Sequence, residues 1–263
     1  SFDECGGELR KPEGAGNFRA DGRGETLDAI GLPPGGAILD VACGTGAVAR
    51  AVAARLTRRS RVFGADLNPA MIEIARQRMP VGAHAFEWHT APADDLPFEA
   101  GQFDLVFCQH GLQFLPDRGW DLTEMRRVLR PGGRLYLTCW AATPPFFKVV
   151  AGVLGRHLGE DAAAKTVEPF ALNDGGSISG LIARAGFEVA PVRRLTVTRR
   201  MPASHAAIRA DILATPNELA LRAAGESAIE SIVQEVFEGV THFSDGEMLA
   251  MPQEAHPFDA IAV

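Results

Sequence analysis

The stretch from Ile38 to Ala49 reads as an apolar strand, a glycine turn and the first turn of a helix. A strand that runs through Gly-x-Gly into a helix brings the backbone close to a bound ligand. Gly44 and Gly46 lack a Cβ atom, so they can adopt unusual backbone angles and leave room for that ligand. Asp40 places a carboxylate near the end of the strand, at the edge where open α/β sheets bind their ligands. This stretch therefore predicts a ligand-binding α/β fold.

The chain then alternates between short apolar segments and helical patterns as far as residue 140. The patterns predict strands over 37–41, 61–65, 85–90, 103–109 and 134–140, and helices over 47–57, 69–79 and 119–129. This βαβ repetition predicts a doubly wound, mostly parallel sheet with helices on both faces.

The pattern changes after residue 140. It predicts helices over 146–158 and 178–185, a long alternating strand over 189–199, helical structure over 203–240 with breaks at Pro216 and near Gly225, and a last strand over 256–263. We expect residues 1–30 to form a partly mobile N-terminal segment, residues 31–140 the ligand-binding core, and residues 141–263 the rest of the sheet. Because the chain begins at Ser1 and not with methionine, we also expect that N-terminal residues are missing.

Charge and cysteine content narrow the functional class. The net charge is −7 and no basic stripe is evident, which argues against a nucleic-acid partner. The four cysteines are Cys5, Cys43, Cys108 and Cys139. Their spacing does not match that of metal ligands, so we expect no metal site and a reduced, cytoplasmic protein. No signal peptide is visible and no apolar run approaches the ~20 residues that span a bilayer. We therefore expect no membrane span.

A second carboxylate follows the second predicted strand. Asp66 stands twenty residues after Gly46, where an acidic residue can accept hydrogen bonds from both hydroxyls of a ribose. The alternative is that Asp66 caps the next helix, but Asn68, directly before Pro69, suits that position better. The spacing therefore favours a nucleoside-containing ligand, and at this point a nicotinamide dinucleotide fits almost as well.

Motifs further along the chain distinguish a nicotinamide dinucleotide from other nucleoside-containing ligands. The sequence resembles the class I S-adenosylmethionine-dependent methyltransferases, in particular the group of ubiquinone/menaquinone-biosynthesis methyltransferases. The resemblance covers about residues 35–140, and its motifs are Ile38–Gly46, Gly64–Met71, Asp95–Phe98, Phe103–Val106 and Glu124–Gly133. It implies a seven-stranded sheet whose antiparallel last strand inserts beside the fifth strand. It also implies that helical insertions over 141–175 and 203–240 form a lid for the substrate.

The resemblance also implies a cofactor site for S-adenosylmethionine, with S-adenosylhomocysteine as product. The turn would approach the methionine part through its backbone, Asp40 would hold the ammonium, and Asp66 would hold the ribose. The full implied set is Asp40, Ala42, Cys43, Gly44, Gly46, Asp66, Leu67, Met71, Ala93, Asp94 and Gln109. Many members of the family have Asp-Ala-Glu where this chain has Pro92-Ala93-Asp94. A proline side chain cannot accept a hydrogen bond from the adenine amino group, so Asp94, the backbone or water would take that role.

The chemistry and the acceptor are less constrained. His110 is a candidate general base, and the alternative is a polar wall residue. Methyl transfer from a sulfonium needs alignment more than acid–base help, so a base is not essential. Four aromatic residues at the end of the fifth strand and beyond it favour an apolar or aromatic small-molecule acceptor, such as a quinone-like compound, a lipid or a secondary metabolite. They are Trp140, Phe146, Phe147 and Phe170. The alternative for Phe146 and Phe147 is that they cap the core. Two alternatives to a methyltransferase remain: a nicotinamide-dependent oxidoreductase and a non-catalytic S-adenosylmethionine-binding module. We expect the protein to be a monomer or a homodimer.

Overall fold

The computed structural model describes Leu32 and residues 35–56, 60–79 and 86–263. The predicted N-terminal segment, residues 1–30, lies outside these residues. Within the part that is described, no helix combines the length and the apolar character that crossing a membrane requires.

One mixed sheet of eight strands organises the described residues. The strands are β1 (Gly36–Val41), β2 (Ser60–Asp66), β3 (Phe86–Thr90), β4 (Phe103–Gln109), β5 (Leu129–Trp140), β6 (Phe187–Val189), β7 (Leu195–Pro202) and β8 (Met248–Ala262). Their order is β3-β2-β1-β4-β5-β8-β6, and β7 also pairs with β8. Strands β3, β2, β1, β4 and β5 are parallel, and β8 runs antiparallel to β5 and β6. The predicted fold class and the place of the antiparallel strand are confirmed, but the predicted count of seven strands is wrong.

The extra strand has a local cause. The predicted continuous strand over 189–199 is interrupted, because β6 ends at Val189 and β7 begins at Leu195. Pro191 lies in the interruption, and a proline lacks the N–H that a strand ladder needs. The last strand also begins at Met248, well before the predicted residue 256.

Nine α-helices cover most of the remaining regular structure in the described ranges. They are α1 (Ala47–Ala53), α2 (Pro69–Gln77), α3 (Arg118–Val128), α4 (Pro145–Leu158), α5 (Glu160–Val167), α6 (Gly175–Arg184), α7 (His205–Leu213), α8 (Glu218–Ala224) and α9 (Glu226–Val240). Three short 3-10 helices span Leu112–Phe114, Glu168–Phe170 and Thr241–Phe243. The Asn68 side chain caps α2 by accepting a hydrogen bond from the backbone N–H of Ala70 at 2.9 Å, and Pro69 is the first helical residue, as predicted. The sequence patterns did not predict α5.

The chain divides into two compact units. The sheet unit contains the described residues as far as Thr143, with Pro169–Thr198 and Pro252–Val263. Its core packs β1, β4 and β5 against α3 and α6. The helical unit contains Pro144–Glu168 and Arg199–Met251 and has its own core, built from α4, α7, α8 and α9. The lid role of the helical segments stays a prediction.

A tryptophan fixes the packing of the sheet beside the glycine turn. Trp88 on β3 pairs with Gly64 on β2. A Cβ atom added at Gly64 would lie 2.3 Å from the Cζ3 atom of Trp88, which is far inside van der Waals contact. One added at Gly46 would lie 2.5 Å from the Cη2 atom of the same ring. The indole therefore packs directly on the backbone of both glycines.

We predict that Gly64→Ala lowers the free energy of unfolding by about 1–3 kcal/mol, because the added methyl group overpacks the indole. Gly176→Ala is the matched control in the same unit, since its Cβ atom would meet nothing closer than 3.6 Å and the residue lies in a helix. The control should be neutral or stabilise by up to about 1 kcal/mol. Chemical denaturation measures both. A Gly64→Ala variant as stable as the parent would contradict this account of the packing.

Candidate functional site

The carboxyl ends of four parallel strands form one edge of the sheet. Asp40 on β1 lies opposite Gly64 on β2 and Phe107 on β4. The chain segments that follow β1, β2, β3 and β4 therefore leave the sheet on the same side. All the predicted cofactor residues lie on these segments, on the strand ends, or on the first turn of α2. The register thus brings the predicted set to a common edge.

The turn after β1 has an open, left-handed backbone. Ala42, Gly44 and Gly46 have φ angles of 54°, 53° and 73°. A Cβ atom added at Gly44 would meet no atom within 4 Å, so open space lies beside this residue. Among the described residues, Ala42 and His110 alone have positive φ without being glycine. Such backbone strain concentrates at functional sites.

Asp66 holds this turn in place. Its Oδ2 atom accepts a hydrogen bond from the backbone N–H of Gly44 at 2.8 Å, and its Oδ1 atom accepts one from Asn68 at 2.9 Å. The N–H of Cys43 also donates to the carbonyl oxygen of Ala65 at 3.1 Å. A carboxylate offers about four lone-pair sites, so Asp66 retains capacity for two further donors.

Asp40 is buried in the sheet, with 2% of its surface exposed. Its Oδ2 atom accepts a hydrogen bond from the N–H of Ala49 in α1 at 3.2 Å. Burial raises the pKa of Asp40 to about 7, with a smaller contribution from the charge of Asp66 and against the opposing effect of the Ala49 N–H. A cationic ligand group nearby would favour the ionised form.

The β2 and β3 ends contribute apolar surface. Leu67, directly after Asp66, is 70% exposed. Met71 is half-buried, Ala93 is buried and Asp94 is exposed. The exposed leucine and the buried alanine suit a flat apolar ring with polar edges.

The β4 end carries Gln109 and His110. The backbone N–H of His110 donates to the carbonyl oxygen of Thr138 at 2.9 Å, which ties the strained residue to β5. The imidazole stacks on the Trp140 indole with ring centroids 4.0 Å apart, and Trp140 makes an edge contact with Phe170 at 5.5 Å. Burial lowers the pKa of His110 to about 3. The ring is therefore neutral at physiological pH.

The remaining candidates are a phenylalanine of the helical unit and the cysteines. Phe146 is buried in the core of the helical unit, where the Arg199 guanidinium lies 5.3 Å from its ring centroid. Three free cysteines in the sheet unit are buried, namely Cys43, Cys108 and Cys139. Burial raises the pKa of each of these thiols. Cys5 lies outside the described residues. In the described ranges, no group of three or more His, Cys, Asp or Glu side chains is arranged to hold a metal ion.

One buried carboxyl was missed from the sequence. Asp121 in the first turn of α3 is 1% exposed, and its Oδ2 atom is buried without a hydrogen bond to the described residues. A sequence signal existed, because Asp121 shares a helical face with the apolar Met125 and Val128 at spacings of four and seven.

Comparison with known proteins identifies the family. A model described as a methyltransferase domain matches residues 38–133. The ubiquinone/menaquinone biosynthesis C-methyltransferase UbiE of Geotalea daltonii is 38% identical over 131 residues, which are 49% of this chain and 53% of that protein. The demethylmenaquinone methyltransferase of Clavibacter sepedonicus is 33% identical over 186 residues, 65% of this chain and 73% of that protein. This chain belongs to the S-adenosylmethionine-dependent methyltransferase family.

Solved structures agree on the fold. Phosphoethanolamine N-methyltransferase 2 of Haemonchus contortus, in complex with S-adenosyl-L-methionine, aligns with a TM-score of 0.54 at 18% identity. The alignment covers 90% of this chain and 52% of that one. The chain spans about half the length of the first curated relatives that it matches.

We predict that Asp40→Asn stabilises the ligand-free protein at pH 8 by on the order of 1–4 kcal/mol. The folded-state pKa of about 7 exceeds the ordinary value of an aspartate, so the folded protein binds the proton more tightly than the unfolded chain. Stability from this group is therefore full below the unfolded pKa and is lost as the pH rises towards 7. The advantage of Asp40→Asn should shrink as the pH falls towards 4.

Thermal and chemical denaturation between pH 4 and 8 measure this difference. Glu73→Gln removes an exposed carboxylate on α2 and should stay within about 0.5 kcal/mol of the parent at each pH. An Asp40→Asn variant that is less stable than the parent at pH 8 would show that the ionised carboxylate is favourably held in the fold.

Proposed function

We propose that this protein transfers a methyl group from S-adenosylmethionine to a small-molecule acceptor that is apolar or aromatic, with quinone-like compounds as the first class to test. The observation that carries the proposal is the left-handed Gly44 turn, open on one side and flanked by Asp40 and Asp66. Family membership supports it, and so do the printed names of the relatives, two of which are quinone-pathway methyltransferases.

The residues at the edge fit S-adenosylmethionine. The open space beside Gly44 accommodates a ligand at a point where a side chain would intrude. Asp66 keeps free lone pairs next to the turn, as a ribose diol requires. Asp40 is a buried carboxyl whose ionisation a neighbouring ammonium would favour. When bound, S-adenosylmethionine supplies a methyl group on a positively charged sulfur, with a neutral thioether as leaving group.

We assign the roles of the chain's own groups accordingly. The backbone of 42–46 holds the methionine end, with Asp40 as the counter-charge of its ammonium. Asp66 accepts hydrogen bonds from the ribose. Leu67 and Met71 cover one side of the adenine, Ala93 and Asp94 meet its edge, and Gln109 contacts the methionine moiety. Correct orientation of donor and acceptor supplies most of the rate, since the leaving group needs no protonation.

His110 fits a wall better than a base. A general base works best with a pKa near the working pH, and the pKa of His110 is about 3. The neutral ring stacked on Trp140 instead offers a rigid aromatic surface beside the β4 end. Such a surface suits an acceptor that contains a planar ring.

We predict that Asp66→Ala weakens the binding of S-adenosylhomocysteine by about 10- to 100-fold, on the order of 1–3 kcal/mol, because charge-assisted hydrogen bonds are lost. Isothermal titration calorimetry measures the change. Glu99→Gln, which removes an exposed carboxylate from the segment before β4, is the control and should bind like the parent. Equal affinities for Asp66→Ala and the parent would refute the ribose assignment.

Transfer of a labelled methyl group from S-adenosylmethionine to a panel of hydroxylated naphthoquinones, benzoquinones and phenols tests the activity. We predict a labelled product with a ring-containing acceptor. His110→Asn keeps a residue that tolerates positive φ, and it should retain the parent's pH–rate profile with less than about a tenfold loss of rate. If His110→Asn instead removes an ionisation from the pH–rate profile and lowers the rate much more than tenfold, His110 acts as a general base. Binding of S-adenosylhomocysteine without transfer to any acceptor would indicate a non-catalytic binding module.

A further inference from the structure

Gln253 on β8 is a buried residue whose side-chain amide makes no hydrogen bond to another described residue. Only 4% of its surface is exposed. The amide is nevertheless not among the polar atoms that are sealed from solvent without a partner in the described ranges, so its oxygen and nitrogen keep accessible surface. Buried polar groups are normally hydrogen-bonded, because an unmet donor or acceptor costs free energy. Gln253 therefore offers a donor and an acceptor that a bound group can reach.

The register of the sheet places Gln253 at the carboxyl ends of the parallel strands. β8 runs antiparallel to β5, so it enters the sheet at the edge where β5 ends. Ala255 pairs with Trp140, the last residue of β5. The N–H of Ala141 donates to the carbonyl oxygen of Glu254 at 2.9 Å, which continues the contact one residue beyond β5. Gln253 is the next residue of β8 at this edge.

Gln253 shares a sheet face with the Trp140 side chain. Directly paired residues lie on one face, and residues two apart on a strand do so as well. Gln253 is therefore the diagonal neighbour of Trp140, at a Cβ–Cβ distance of about 7 Å that long side chains and indoles span. The intervening Glu254 lies on the opposite face, where its carboxylate pairs with the exposed Arg194 at 3.2 Å.

Trp140 belongs to an aromatic wall, which we define as His110, Trp140 and Phe170. The three rings are in contact with one another through the indole, and the imidazole is neutral because burial lowers the pKa of His110 to about 3. Small-molecule sites combine apolar surface with a few polar groups that fix the orientation of the ligand. The wall supplies flat apolar surface, and the Gln253 amide supplies a neutral polar group beside it.

We propose that the side-chain amide of Gln253 hydrogen-bonds to an oxygen atom on the ring of the methyl acceptor, and so selects rings that carry a hydroxyl or carbonyl group. This inference rests on the proposed function, because it requires an acceptor at the ends of β4 and β5. An amide suits both kinds of oxygen, since its NH2 group donates to a carbonyl and its oxygen accepts from a hydroxyl. Gln253 is therefore a specificity-determining residue that orients the acceptor against the wall.

The test measures the binding of two probes by equilibrium dialysis, with the protein saturated with S-adenosylhomocysteine. The probes are 1-naphthol and 1-methylnaphthalene, which has the same rings but no oxygen. Gln253→Met removes the amide and keeps an unbranched side chain of similar length. This variant should bind 1-naphthol about 5- to 20-fold more weakly than the parent, because the hydroxyl loses its partner. Its affinity for 1-methylnaphthalene should stay within about twofold of the parent's, since no polar contact is lost.

Gln77→Met is the matched control, because it removes an exposed amide on α2 in the same unit. It should leave the binding of both probes unchanged. Gln253→Leu is a second variant for the case that Gln253→Met does not fold. The affinity of each variant for S-adenosylhomocysteine shows whether the cofactor site is intact.

The inference predicts unequal effects of the Gln253 variants on the two probes. An equal loss for both probes would show that Gln253 only shapes the fold, and unchanged binding of 1-naphthol would show that the amide does not contact the ring oxygen. Either result overturns the inference while the proposed function stands. A parent that binds S-adenosylhomocysteine but neither probe overturns the inference and leaves the cofactor assignment intact. A parent that does not bind S-adenosylhomocysteine overturns the proposed function as well.

Discussion

The hydrogen bond from the Gly44 N–H to the Asp66 carboxylate, 2.8 Å long, is the interaction on which the candidate site depends. It joins the turn after β1 to the end of β2 and holds Gly44 in its left-handed conformation. The N–H of Cys43, bonded to the Ala65 carbonyl, makes the second link between the two strands. With the turn fixed in this way, its open side and the remaining lone pairs of Asp66 are preorganised for the proposed ligand, which would lower the cost of binding.

The same edge carries negative charge that the ligand-free protein does not compensate fully. Asp40 is buried, and its pKa is raised mainly by burial and also by the nearby charge of Asp66. Buried acids of this kind cost stability, and proteins retain them where function benefits. A cation bearing an amino group and a ribose would meet Asp40 and Asp66 with donors, so one physical account covers the charge and the proposed cofactor.

Much of the sheet unit could be predicted because local signals agreed there. The apolar runs of β1 and β4, the Asn68-Pro69 helix start and the antiparallel β8 each matched the expectation. The strand over 189–199 was predicted wrongly because alternation continues through Pro191, although its ring removes a ladder donor. The positive φ of Ala42 and His110 depends on contacts between distant segments, which one-dimensional patterns do not report. The burial of Asp121 could have been predicted, because Asp121 shares a helical face with Met125 and Val128. The pKa of His110 likewise follows from burial against the fold and not from its sequence neighbours.

The most direct test of the central claim is calorimetric titration of the unmodified chain with S-adenosylhomocysteine and, in parallel, with NADH. The account predicts binding of S-adenosylhomocysteine with one site per chain and no heat of binding with NADH. Binding of NADH in the absence of S-adenosylhomocysteine binding would contradict it, because the Gly44 turn and its two flanking carboxylates would then serve a dinucleotide.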